Sequence, residues 1–295
     1  MEIFDLHNDF LTKIKSDKSK VKYLCGKKCD NLKTLIGAVW TTEMSSEKAI
    51  ETIERCYDFI YEYNENFLNF FDDERLNQNR NQIFKVQNLL LGIEDMHFIN
   101  KINLLRVINA HPAYCGLTWN YDNILAGGAH GAGTLTPYGI EVLETLEQNN
   151  IQIDTAHLNE KSFMAVAKLT TRPLFCSHTA IRSLVDNPRN LKDYQLKMIE
   201  ESGGIVGIAL VGSFLTEGKK SYINDVARHI DYVASRFSPE MVCLGTDFYG
   251  TRNLPKKIKS YHNLDMLENR LRLMGYDTET IEKIFYKNAK RFFNI

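Results

Sequence analysis

The stretch EIFDLHNDF carries Asp5, His7 and Asp9 at alternate positions, just after an apolar run. In a strand that spacing sends His7 and Asp9 to the same side. Four later apolar runs end in the same kinds of residue. Glu94 closes LLLGIE, His157 closes IQIDTAH, His178 closes RPLFCSH and Asp247 closes VCLGTD. Three imidazoles and three carboxylates form a ligand set for one or two divalent cations, because neutral imidazole and carboxylate oxygen are zinc's usual ligands apart from thiolate. Crowded together without a cation, the carboxylates would repel one another and resist ionising. Taken singly, each residue reads as a cap, a loop charge or a hydrogen-bonded core histidine. Those single readings leave unexplained why polar groups end so many apolar runs. Asp5, on the same strand face, is expected to hold a ligand through a hydrogen bond from behind.

A barrel would bring residues as distant as His7 and Asp247 into one cleft. Strand patterns fall at 3–7, 35–40, 89–94, 114–119, 151–157, 173–178, 204–210 and 241–247. Helical patterns fall at 46–70, 137–149, 192–202, 222–236, 264–274 and 278–293. Continuous apolar strands alternating with helices indicate a parallel sheet buried on both faces. Eight strands in a chain of 295 residues favour an α/β fold of one closed (β/α)8 TIM-type barrel over an open doubly wound sheet. All C-terminal strand ends of such a barrel meet on one face. The wet stretch DDERLNQNRNQ (72–82) reads as a helix end and surface loop, so residues 1–295 are expected to form a single domain. The Gly-rich loop 126–133, which carries His130, could close over the site.

Composition narrows the partners. Thirty-six basic against 37 acidic residues give a formal net charge of −1, with no global field to recruit nucleic acid or an anionic membrane. No apolar run reaches the roughly eighteen residues of a membrane span, and no secretory leader pattern opens the sequence. The six cysteines are scattered, and without an export signal they read as reduced thiols. Cys25 and Cys29 form a C-x3-C pair with no second pair to complete a structural zinc site. A cytoplasmic location is the expectation.

These residues and their surroundings are familiar together. The chain resembles the membrane (renal) dipeptidase family, the M19 metallopeptidases of the amidohydrolase superfamily. The likeness runs almost end to end, through DLHND, LLGIED, GLTWNYDN, GTLTPYGIEVLETLEQNNIQIDTAH, RPLFCSHTAIRSLVDNPRN, LGTDFYG and NAKRFF. Its most specific segments are 133–157 and 172–190. The resemblance implies a binuclear zinc barrel, two Zn2+ per chain, that hydrolyses small peptide substrates: dipeptides, with a C-terminal D-residue often tolerated. It places His7 and Asp9 on one zinc, Glu94 as the bridge between the metals, and His157 and His178 on the second zinc. Arg189 matches the arginine that grips the substrate carboxylate, which a planar guanidinium can do bidentately. Asp247 matches the acid near a metal-bridging hydroxide, the expected general base and then general acid. A homodimer is left open.

The sequence departs from the family pattern twice. Trp119 stands where the best-known members have a histidine expected to hold substrate; an indole N–H donates one hydrogen bond but carries no charge. Tyr249 replaces the second acid of the common DFDG. Both changes bear on substrate scope more than on metal binding. His130 is the histidine nearest Trp119 in sequence and a candidate for the missing role. His97, His111, His229 and His262 read as ordinary surface or core residues. Other hydrolyses in the same metal site, of lactones, phosphoesters or cyclic amides, form the second reading, and a metal-binding protein without turnover the third. The carboxylate clamp implied for Arg189 favours the dipeptidase.

Overall fold

The computed structural model describes residues 1–14, 31–66, 86–218 and 220–295. The Cys25–Cys29 pair, the stretch 72–82 and the end of the helical pattern 46–70 lie outside them. Eight parallel strands close into a barrel in sequence order. They are β1 (Ile3–Asn8), β2 (Leu32–Trp40), β3 (Asn88–Glu94), β4 (Tyr114–Gly116), β5 (Gln152–Asp154), β6 (Phe175–Thr179), β7 (Ile205–Ile208) and β8 (Val242–Leu244). The barrel closes where Asp5 of β1 pairs with Leu244 of β8.

Helices return the chain between strands: α1 (Phe10–Ile14), α2 (Ser46–Asn66), α3 (Lys101–Asn109), α4 (Pro137–Gln148), α5 (Glu160–Leu169), α6 (Asp193–Glu201), α7 (Gly212–Leu215) and α8 (Ile223–Arg236). After β8 come α9 (Asp265–Leu273), α10 (Thr278–Glu282) and α11 (Asn288–Phe293). Helices α3 and α5 were not visible as apolar periodicity. Their signal is in the caps: the Asn100 side chain accepts from the Asn103 N–H, and that of Asn159 from the Ser162 N–H.

Strands β4, β5 and β8 are shorter than their apolar runs. The extended backbone stops before Trp119, His157 and Asp247, so these three residues stand in the loops just beyond the strands rather than on them. His157 and Asp247 have φ of 67° and 57°, in the left-handed region. For non-glycine residues that costs roughly 1–2 kcal/mol each, and strain of this kind concentrates where a side chain must be aimed.

The two ends of the barrel differ in kind. The lower interior is filled by Phe4, Leu6, Ile36, Tyr114, Phe175, Ile205 and Cys243, all fully buried. From below, α11 closes it: Phe292 stacks on Phe175 with centroids 5.5 Å apart, and Phe293 on Phe4 at 5.8 Å. Gly92 on β3 makes room for Tyr114, since a Cβ there would lie 2.5 Å from the phenol ring. The upper end holds the titratable residues.

Candidate active site

Glu94 stands at the centre of the upper end. Its Oε2 lies 3.7 Å from His7 Nε2. Its Oε1 lies 2.7 Å from His157 Nε2 and 3.9 Å from His178 Nε2. One carboxylate thus turns one oxygen to each side. His7 Nε2 is also 3.5 Å from Asp9 Oδ2. Ligand atoms of His7, Glu94 and His178 fall within 4.8 Å of one another, and so do those of His7, Asp9 and Asp247. The six strand-end residues named from the sequence therefore share one cleft, and Asp247 stands among the ligand-type groups as well as beside them.

Each imidazole is held from its Nδ1 side. His7 Nδ1 lies 2.7 Å from the Tyr114 hydroxyl, His157 Nδ1 2.9 Å from Asn120 Oδ1, and His178 Nδ1 2.8 Å from Ser177 Oγ. An amide oxygen only accepts, so His157 carries its proton on Nδ1 and offers the Nε2 lone pair. His157 Nε2 and His178 Nε2 face each other at 3.0 Å, beside Glu94 Oε1. His7 Nε2 is buried and has no hydrogen-bond partner. A buried, unpartnered nitrogen, two imidazoles meeting through Nε2 and three carboxylates make a donor set that a divalent cation fits and a proton satisfies poorly.

Electrostatics agree with this reading. Burial, reinforced by the charge of Asp9, raises Glu94 and Asp247 well above the usual carboxylate range. Burial holds His157 and His178 well below the usual imidazole value, with Arg189 and His7 adding to the effect. His7 goes the other way. Burial lowers it, but the Asp9 carboxylate 3.5 Å away and the charges of Glu94 and Asp247 outweigh that and push it up to about 10.

Asp5 does not touch a ligand side chain. It accepts from the backbone N–H of His7 at 3.3 Å, from Thr246 N–H at 2.8 Å and Thr246 Oγ1 at 2.5 Å, and from the Tyr261 hydroxyl. It therefore ties β1 to the segment after β8. The hydroxyl behind the His7 ring is that of Tyr114, which no reading of the sequence had placed there.

The cleft above these groups is a cavity of about 550 Å³, within the usual range for small-molecule sites. Arg189 lines it from the loop after β6, 6% exposed, with Nη2 2.9 Å from His178 Nε2 and its guanidinium 5.4 Å from the Phe214 ring centroid. Trp119 lines it too, its ring centroid 5.6 Å from Trp40 and 5.9 Å from His157. Trp40, Asn120 and Phe214 had not been singled out. Trp40 was within reach, since it ends β2 as Glu94 ends β3. His130 reaches the rim, but its ring packs 6.0 Å from Tyr121 and it is exposed. Its loop is pinned by Asp122, which accepts from the N–H groups of Gly128, Ala132 and Gly133. His229 is a satisfied core histidine, with Nδ1 accepting from Ile181 N–H at 3.0 Å and Nε2 facing Leu215 O at 3.1 Å.

The sequence pattern of the membrane dipeptidase family (peptidase family M19) matches residues 1–295. The chain belongs to that family. As a member it is a metallodipeptidase, a hydrolase of peptide bonds. It is 35% identical over 188 residues to the Klebsiella pneumoniae "uncharacterized protein in pqqA 5′ region", covering 60% of this chain and 69% of that protein. An uncharacterized dipeptidase of Schizosaccharomyces pombe is 26% identical over 300 residues, 97% of this chain and 71% of that protein. Among solved structures, a Rhodobacter sphaeroides metallopeptidase liganded with a phosphinate mimic of the dipeptide L-Ala-D-Ala superposes with a TM-score of 0.83. It shares 20% identity and covers 100% of this chain and 99% of that one. That likeness shows the fold. Among the described residues, no helix is long and apolar enough to cross a membrane.

Proposed function

We propose that this dipeptidase works with two zinc ions, held by His7, Asp9, Glu94, His157 and His178, and that Glu94 bridges them. The observation that carries the reading is the division of Glu94, with one carboxylate oxygen toward His7 and the other toward His157 and His178. Bound there, zinc would supply Lewis acidity toward the scissile carbonyl and a water acidic enough to ionise near neutral pH, at a pKa of about 7.

The chain's own residues would do the rest. Asp247, whose affinity for a proton is raised by burial and by Asp9, takes the proton of the attacking water and returns it to the leaving amine. Arg189 grips the free C-terminal carboxylate of the substrate, which limits substrates to short peptides. Trp119 and Trp40 form an aromatic wall on the cavity, a surface for an apolar substrate side chain. A dipeptide whose C-terminal residue has the D configuration, the stereochemistry mimicked in the Rhodobacter sphaeroides complex, belongs in the substrate range to be tested. Lactone, phosphoester or cyclic-amide hydrolysis would give Arg189 no carboxylate to hold.

The test is elemental analysis of protein never exposed to chelator, joined to a turnover panel of L,L and L,D dipeptides. Two divalent ions per chain, activity lost on chelation and metal lost in Glu94→Gln are expected. Arg189→Lys keeps the charge but loses the fork, so kcat/KM should fall far more for dipeptides with a free carboxylate than for amidated ones. A metal-free wild type would sink the zinc site, and equal losses on both substrate types would remove Arg189 from it.

A further inference from the structure

We infer that Asp154 and Ser177 are a positioning pair that fixes the tautomer of His178, so that its Nε2 lone pair points into the metal site. This deepens the proposed function and rests on His178 being a ligand.

A serine hydroxyl can donate one hydrogen bond and accept two, so alone it sets no tautomer on a neighbouring imidazole. Here its proton is committed. Ser177 Oγ donates to Asp154 Oδ2 at 2.5 Å, so toward His178 Nδ1, 2.8 Å away, it can only accept. His178 Nδ1 must then carry the proton. The opposite side of the ring gives the same answer independently. Arg189 Nη2 lies 2.9 Å from His178 Nε2, and a guanidinium has no lone pair to offer.

Asp154 is itself held so that it cannot turn. Its Oδ1 accepts the backbone N–H groups of Ala156 at 3.0 Å and Ser177 at 2.9 Å. Asp154 is 3% exposed and Ser177 0%, so no water competes for these bonds. Fixing the free nitrogen of a ligand imidazole from behind is worth typically 10–100-fold in metal affinity.

The geometry predicts an unusual order among variants. In Asp154→Asn the two backbone N–H groups require the amide oxygen at the Oδ1 position. The amide NH2 then faces Ser177 Oγ and occupies it as an acceptor. The hydroxyl proton turns to His178 Nδ1 and moves the imidazole proton to Nε2, where it blocks the site. Ser177→Ala removes the acceptor but supplies no wrong donor. The double variant has no hydroxyl to invert. The apparent Kd for Zn2+, measured by competition with a chromophoric chelator, should therefore rise by about 10–100-fold in Asp154→Asn. It should rise less in Ser177→Ala, and in the double variant it should return to the Ser177→Ala value.

A second measurement reads the wild type itself and needs no metal. Imidazole 15N shifts of the metal-free wild type, with the His178 signals identified by their loss in His178→Asn, should show a protonated Nδ1 and a bare Nε2. Wild-type affinity in Asp154→Asn, a double variant no better than Asp154→Asn, or His178 protonated at Nε2 in the wild type would each overturn the pair. A wild type that binds no zinc refutes the zinc reading instead, and the 15N shifts still decide the tautomer.

Discussion

Asp5 on β1 and Asp154 on β5 make the same three connections. Each accepts the backbone N–H two residues further on, from His7 at 3.3 Å and Ala156 at 3.0 Å. Each accepts an N–H from the adjacent strand or the segment just after it, Thr246 beyond β8 at 2.8 Å and Ser177 of β6 at 2.9 Å. Each also accepts the hydroxyl of that same residue, at 2.5 Å in both cases. The residue after each hydroxyl is a site residue, Asp247 in one case and His178 in the other. The difference lies in what else the clamp touches. Ser177 Oγ reaches His178 Nδ1, whereas the Asp5 clamp ends on the Tyr261 hydroxyl. The same local device thus closes the barrel at β1–β8 and aims the His178 imidazole at β5–β6. A clamp acquires a chemical role only when its hydroxyl lies beside an imidazole.

The largest effect should come from the two residues that follow the clamps. Asp247→Asn is nearly isosteric and cannot accept the water's proton, so kcat should fall by at least about 10²-fold while zinc content stays near wild type. His178→Asn should lose zinc and rate together. Metal content and kcat measured on one preparation of each separate the two roles. If zinc falls in Asp247→Asn as well, and added zinc restores activity, Asp247 is mainly a ligand.

The next effect concerns stability. Asp5→Ala removes the acceptor of three buried donors, the His7 and Thr246 N–H groups and the Thr246 hydroxyl, each costing about 1–3 kcal/mol when left unsatisfied. A loss of at least about 3 kcal/mol in urea unfolding is expected, followed by poor closure of β1 on β8. A change below about 1 kcal/mol would mean that the barrel closes without the clamp.

His229 sharpens the comparison as a buried group outside both clamps. Burial lowers its pKa from 6.5 to about 4, the Arg228 charge adding to this and the Leu215 carbonyl opposing it. The unfolded chain therefore binds a proton that the fold refuses. Its contribution is fully present above pH 6.5 and is lost as pH falls toward 4, up to about 3 kcal/mol at about 1.4 kcal/mol per pH unit. Asp5, raised to about 6 by burial, works in the opposite sense, its contribution being present below 3.8 and lost as pH rises through 6. The difference between wild type and His229→Asn isolates the histidine. In metal-free protein the wild type should gain on the variant as pH rises from 4 to 7. A pH-independent difference would show that His229 titrates normally.

Apolar runs ending in His7, Glu94, His157, His178 and Asp247 were enough to indicate a parallel barrel and a metal-type cluster, because a barrel sends all its strand ends to one face. Arg189 was legible only through its flanking motif, since a lone arginine in a loop has no periodicity to betray it. The sequence led to the expectation that Asp5 holds a ligand side chain, but it bonds Thr246 and Tyr261 instead, which reach it from the far end of the chain. The left-handed turns at His157 and Asp247, the Tyr114 hydroxyl behind His7 and the aromatic pair of Trp40 with Trp119 were decided by tertiary structure. So was the proton on His178. Strand pattern is a local property of residue type and spacing, whereas a tautomer depends on which oxygen stands 2.8 Å away and on what holds that oxygen's hydrogen. Here Asp154, at the end of the neighbouring strand β5, makes that choice through Ser177.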